Sequence, residues 1–173
     1  YGKMTVTGGT NVIGSNLILG TFAGGTGDIA VLGGTNTFSS VPSITRVQVG
    51  GFGRGILLGL GGTNSTVAIS IANDAGASGA MTVSNGLWTV AEHMWVGNNG
   101  NGTLTLSGGE LRFLSGGPVL AIGRYSVATG EVTVAGGLVD MGSAGSVWVG
   151  RADQGTKVSA RLVLTGTGVL RTK

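Results

Sequence analysis

"GTLTLSGGELRF", residues 102–113, sets two short runs of alternating apolar and polar residues on either side of a glycine pair. Leu104 and Leu106 alternate with threonines before the pair, and Leu111 and Phe113 alternate with Glu110 and Arg112 after it. A period of two marks a half-buried strand, and glycines between two such runs mark a corner. Relatives of the unit recur as "GKMTVTGGTNVI" from Gly2, "GDIAVLGGTNTF" from Gly27, "GAMTVSNGLWTV" from Gly79 and "GEVTVAGGLVDM" from Gly130. Weaker copies start at Gly55 and, as "ARLVLTGTGVLR", at Ala160. The last glycines of the pairs are 9, 34, 62, 86, 109 and 137, at spacings of 25, 28, 24, 23 and 28, and the seventh copy ends its turn at Gly168.

A second landmark interleaves with the first: "LILG" ending at Gly20, "VQVG" at Gly50, "MWVG" at Gly97, "LAIG" at Gly123 and "VWVG" at Gly150, with "SIAN" ending at Asn73 between the second and third. Each period therefore holds three short strands. A glycine pair joining two strands is also compatible with a hairpin. The strict order of the landmarks and the uneven links between them favour a coil in which each turn lies on the one before. The expected fold is all-β, a parallel β-helix (β-solenoid) of about seven coils of 23–30 residues, three short strands per coil, in a single domain spanning residues 1–173. At ~4.8 Å per turn such a rod is ~34 Å long.

Stacking places equivalent residues in columns. "GGTN" occurs three times, so Asn11, Asn36 and Asn64 fall in one column, where buried amides can bond to one another as in a cross-β ladder. Trp88, Leu111, Val139 and Leu170 continue that column, so the interior turns from polar to apolar along the rod. The alternative is three unrelated turns that each happen to contain asparagine. The same alignment sets Lys3 beside Asp28 and Glu131 beside Arg161, and places Arg112, Asp140 and Arg171 in one outward column.

Composition agrees with a folded chain. Glycine supplies 37 of 173 residues but proline only 2, which excludes a collagen-like repeat and a Pro/Gly-rich disordered segment. Charged residues are 10% and hydrophobic ones 41%, the reverse of disorder. The net charge of +3 comes from scattered basic residues not interleaved with aromatics, so no nucleic-acid surface is expected. No apolar run is long enough to span a membrane as a helix. Absence of cysteine leaves the redox compartment open. The opening Tyr1-Gly2-Lys3-Met4 reads as a processed or cut end. Repeat units begin at once and run to Arg171, so no cap is recognisable at either end.

The units "GNGTLTLSGGELRF" and "ATGEVTVAGGLVDM", each preceded by "MWVG" or "LAIG", resemble the autotransporter-associated β-strand repeats of large bacterial surface proteins, over about Gly2 to Thr172. That resemblance implies a right-handed parallel β-helix, export to the bacterial surface or extracellular space, and an adhesive or structural role. It carries no catalytic residues. The handedness also agrees with the general preference of parallel crossovers.

Site chemistry is sparse. Polysaccharide-active β-helix enzymes need grouped carboxylates, whereas Asp28, Asp74, Glu92, Glu110, Glu131, Asp140 and Asp153 spread over different faces and only Glu110 and Asp140 come near each other. "GGTGD", residues 24–28, is similar to a calcium-binding repeat but does not recur, and His93 is the only histidine, a structural or solvated residue by this reading. No catalytic, cofactor or metal residues are assigned. Strand alternation directs Trp95 and Trp148 outward with Ala121 between them, where they can stack on sugar rings or bury against a neighbouring rod. A covering loop, or a phase shifted by one, would hide them instead. The corner after the second landmark lengthens, with steps of 5 from Gly97 to Gly102, 7 from Gly123 to Gly130 and 10 from Gly150 to Ala160, and it carries Arg124, Tyr125, Arg151 and Lys157. Such a corner is either a binding surface or merely solvated. The expected function is non-enzymatic: a structural rod that stacks end to end with copies of itself, or with adjoining repeats of a longer chain. The alternative is an adhesin passenger binding glycan or matrix; a polysaccharide-active enzyme comes third.

Overall fold

The structure, a computed structural model, describes residues 1–38, 46–114, 116–125, 127–152 and 158–172. Among these residues twenty strands follow one another in a fixed rotation. The first turn holds β1 (Gly2–Val6), β2 (Thr10–Ile13) and β3 (Leu17–Leu19), and the second β4 (Thr26–Val31), β5 (Thr35–Phe38) and β6 (Val47–Val49). The third holds β7 (Arg54–Gly59), β8 (Thr63–Thr66) and β9 (Ile69–Ile71), and the fourth β10 (Ser78–Val83), β11 (Leu87–Val90) and β12 (His93–Val96). The fifth holds β13 (Asn101–Leu106), β14 (Glu110–Phe113) and β15 (Val119–Ile122), and the sixth β16 (Thr129–Val134), β17 (Leu138–Asp140) and β18 (Ser146–Val149). β19 (Ser159–Leu164) and β20 (Val169–Arg171) belong to a seventh.

Every third strand pairs in parallel with its counterpart one turn on, giving three sheets of seven, seven and six strands that begin with β1, β2 and β3. The chain is thus an all-β solenoid of stacked parallel coils, as the repeat spacing predicts. Alternation sends every second side chain inward. In the first sheet Met4, Ile29, Leu57, Met81, Leu104, Val132 and Leu162 form one inward column through successive register pairs. Ile29 to Val132 are almost wholly buried.

The glycine pairs turn the corner between the first and second sheets. Gly34 has φ of 86°, and a Cβ there would lie 2.6 Å from the carbonyl oxygen of Gly9 on the preceding turn. Positive φ and close stacking of corners together exclude a side chain. The corner after the third sheet shows the same demand with one departure. Reading the sequence sets Asn73 in the landmark position, but Val49 pairs with Ile71, so Ala72 is the residue aligned with Gly50. Ala72 takes φ of 55° there. The small side chain of alanine is tolerated in the left-handed conformation that the corner imposes, and Asn73 falls one step beyond it.

The asparagine column forms as expected. Asn11 pairs with Asn36 and Asn36 with Asn64 in register. Asn11 Nδ2 donates to Asn36 Oδ1 at 2.8 Å, and Asn36 Nδ2 donates to Asn64 Oδ1 at 2.8 Å. Each amide also donates to the corner carbonyl three residues earlier, at 3.0 to 3.1 Å, so strand and corner are tied together. Trp88 follows Asn64 in the column, with Leu111, Val139 and Leu170 after it. The Trp88 ring stacks on Phe38, centroids 5.8 Å apart and planes within 11°. Gly59 gives it room: it stands where Val31 and Val83 stand on the adjacent turns, and a Cβ at that position would lie 2.4 Å from Trp88 Nε1.

Candidate functional site

The outer face of the third sheet gathers the aromatic and basic residues. Its outward column runs Ile18, Gln48, Ser70, Trp95, Ala121 and Trp148, so both tryptophans project outward, partly buried, as alternation predicts. They lie two rungs apart, ~10 Å. Ala121 between them has no exposed surface and forms the floor of the gap. Small neighbours on both sides of Trp95, Ser70 and Ala121, leave space over its ring.

Arginines fill that space. The Arg124 guanidinium carbon lies 5.2 Å from the centroid of the Trp95 ring and 4.5 Å from that of Tyr125. Arg46 lies 5.7 Å from Trp95, and Arg151 lies 3.8 Å from Trp148. Each contact contributes about 0.5–1 kcal/mol at an exposed site. Together they gather three cations against the two indoles. Trp95, Trp148, Arg124, Tyr125 and Arg151, singled out in the sequence, therefore meet on one face. Lys157 and Asp153 lie outside the described residues.

Two members of this face escape the sequence reading. Arg46 sits one residue before β6, in step with Gln48, and His93 opens β12, in step with Trp95. The same two-residue alternation that placed the tryptophans would have found them. The His93 ring lies 5.7 Å from Trp95, tilted by 53°. Its Nδ1 accepts a hydrogen bond from the Val119 backbone N–H at 3.2 Å, which assigns the proton of the neutral ring to Nε2. His93, Trp95, Val119, Arg124, Trp148 and Arg151 line a cleft of about 160 Å³. It shares Trp148 and Arg151 with a shallower concavity of about 570 Å³.

A polar stack leads into this corner. Ser70 donates its hydroxyl to Asn73 Oδ1 at 2.8 Å, and Asn98 Nδ2 donates to the same oxygen at 3.2 Å. Arg124 lies on the next rung after Asn98, its backbone N–H donating to the Gly97 carbonyl.

Asp74 belongs to this corner, where its carboxylate accepts from Asn73 Nδ2 at 2.8 Å, whereas three other carboxylates are engaged elsewhere. Glu110 pairs with Arg112 at 2.7 Å, Asp140 with Arg171 at 2.6 Å and Glu131 with Arg161 at 3.9 Å, all on the first and second sheets. The Arg171 guanidinium, with help from the Gly142 N–H, holds the Asp140 carboxyl down at about 2. Of the two acids that the sequence brings near each other, Asp140 is therefore a bound anion, and Glu110 is tied to Arg112. Lys3 and Asp28 are register partners as expected, yet Asp28 accepts its hydrogen bond from the Tyr1 hydroxyl at 2.9 Å, which pushes the Tyr1 phenol up. Among the described residues no group of three or more His, Cys, Asp or Glu side chains converges, and no helix is long and apolar enough to cross a membrane. Comparison with protein-family models, with curated proteins and with solved structures found no match to this chain.

Proposed function

We propose that the chain is a structural rod, extended at its ends by further turns of the same kind. The observation that carries this reading is the state of the core columns at the two ends. Met4 is 42% exposed where Ile29, next in its column, is 1% exposed. Leu164 is 53% exposed where Val134 beneath it is fully buried. Apolar columns of this kind gain from another turn, and the unpaired strand edges with them invite one. That turn belongs to an adjoining repeat of a longer chain or to a second copy. A direct junction in register would set Arg161 against Lys3 and Leu170 against Asn11, so copies would meet in a shifted register or through a bridging segment. Head-to-tail contacts that do not close make filaments. The likeness of the repeats to autotransporter-associated units favours the bacterial surface or extracellular space as the setting. Electron microscopy of the purified chain is the test: filaments with an axial repeat near the ~34 Å length of seven rungs are expected. A monodisperse population of isolated short rods at every concentration would contradict self-stacking.

The tryptophan and arginine face favours a second role on the same rod, adhesion to a glycan. A rigid sheet displaying partly buried indoles beside hydrogen-bond donors is suited to sugar rings, which present an apolar face and a polar rim. Loss of glycan capture by Trp95→Ala and Trp148→Ala, with the rod intact, is the expected result.

A further inference from the structure

We infer that Asn85 is a site of spontaneous deamidation, at which the rod acquires an isoaspartyl link in the corner of its fourth turn. The chain holds three Asn-Gly pairs, Asn85-Gly86, Asn99-Gly100 and Asn101-Gly102. A glycine after the asparagine leaves the backbone nitrogen unhindered, so that it can reach the side-chain carbonyl. The structure separates the three pairs. Asn85 is exposed, and the Gly86 N–H donates to Asn85 Oδ1 at 2.8 Å, which brings that nitrogen up against the Cγ it must attack. Gly100 is buried, and its N–H donates to the Ala72 carbonyl of the preceding turn at 3.2 Å. Gly102 lies buried inside β13, held in register with Gly79 on one side and Gly130 on the other. Of the three, the first pair combines solvent access with a near-attack geometry.

The corner itself is unlike its neighbours. Gly8, Gly33, Gly61, Gly108 and Gly136 open the other glycine-pair corners, where Asn85 opens this one. In the reaction, solvent hydroxide takes the Gly86 amide proton, the nitrogen forms a bond to Asn85 Cγ, and the Cγ–Nδ2 bond breaks to release ammonia. Water then opens the cyclic imide. Attack at Cγ gives aspartate, whereas attack at the Asn85 main-chain carbonyl carbon gives isoaspartate, in which the backbone runs through Cγ and is longer by a carbon. The corner has no slack for that carbon. A Cβ on Gly86 would lie 2.4 Å from the Gly62 carbonyl oxygen, and one on Gly109 would lie 2.6 Å from the Gly86 carbonyl oxygen. The Leu87 N–H donates to the Gly62 carbonyl and the Glu110 N–H to the Gly86 carbonyl, each at 2.9 Å. A lengthened link pulls both bonds out of step, just before the fully buried Trp88.

Peptide mapping by mass spectrometry tests this on the whole chain, held at mildly alkaline pH until a urea-unfolded control is half converted. In urea the three pairs should react at similar rates. In the fold, Asn85 should react roughly tenfold faster than Asn99 and Asn101. Equal rates at the three pairs in the fold, or an Asn85 that stays intact while the urea control reacts, would overturn the inference. The effect on the corner is read separately, by hydrogen exchange at the Leu87 and Glu110 amides. Exchange there should quicken roughly tenfold in the isoaspartate-bearing chain relative to fresh chain. N85D, which carries the same charge on an ordinary backbone, and N85G, which restores the residue of the other corners, should both exchange like fresh chain. Exchange in the isoaspartate-bearing chain no faster than in fresh chain would overturn the claim that the corner cannot take the longer link.

Discussion

The column that opens with Asn11, Asn36 and Asn64 continues as Trp88, Leu111, Val139 and Leu170, and its two halves solve one packing problem by different means. In the first three turns, amides satisfy each other along the rod and hold the corners through the carbonyls of Gly8, Gly33 and Gly61. In the later turns the same position is filled by hydrophobic volume alone, with Trp88 and Leu111 fully buried. The polar half depends on continuity, because each amide needs the next. The apolar half depends on volume, and any well-fitting side chain serves. The junction between them is imperfect: Trp88 Nε1 is buried without a partner among the described residues, and Asn64 Nδ2 ends the ladder on the Leu87 carbonyl at 3.4 Å.

Breaking the apolar half should have the largest effect. Trp88→Ala removes the residue that stacks on Phe38 and fills the space left by Gly59, and should cost about 3–5 kcal/mol in denaturant unfolding. In a solenoid the loss should fall mainly on neighbouring turns, so hydrogen exchange should quicken around β8, β11 and β14 more than around β19. The polar half should respond less, but in a way that volume cannot explain. Asn36→Leu leaves the Asn11 amide and the Asn64 carbonyl oxygen without their partners, at about 2–3 kcal/mol. Replacing Asn11, Asn36 and Asn64 together by leucine removes the orphaned groups and should cost less than the single change. A triple variant weaker than the single one would show that the amides act one by one.

The smallest effect belongs to the surface. Asp140 is ionised in the fold well below its usual range, so its pairing with Arg171 stabilises above about pH 4 and is lost as pH falls from there toward 2. Asp140→Asn should cost less than about 1 kcal/mol at neutral pH. It should also flatten the dependence of stability on pH between about 4 and 2.

Much of this molecule is legible in its sequence because a solenoid repeats its constraints. Period two gives the strands, the glycine pair gives the corner, and stacking converts both into a register that sets Asn11 on Asn36 and Trp95 beside Ala121. What the pattern hides has local causes. Ala72 takes a left-handed corner that glycine fills on other turns, so the third turn reads one residue out of phase. The copy that starts at Gly55 reads as weak because Gly59, aligned with Val31 and Val83, leaves its space to the Trp88 ring. His93 and Arg46 fall on the outward phase that places the tryptophans, but that phase alone does not record that the Arg46 side chain crosses rungs to lie against Trp95.

Absence of cysteine makes the stacked register directly measurable. Thr37 and Ser65 are register partners on adjacent turns with hydroxyl oxygens 3.3 Å apart, and Thr89 is the next residue in that column. Introduced cysteines at 37 and 65 should form an intramolecular disulfide on mild oxidation, because partners one rung apart are within its reach. Cysteines at 37 and 89, ~10 Å apart across two rungs, should stay as thiols. A disulfide in the second pair and none in the first would contradict the stacking of turns on which the whole account stands.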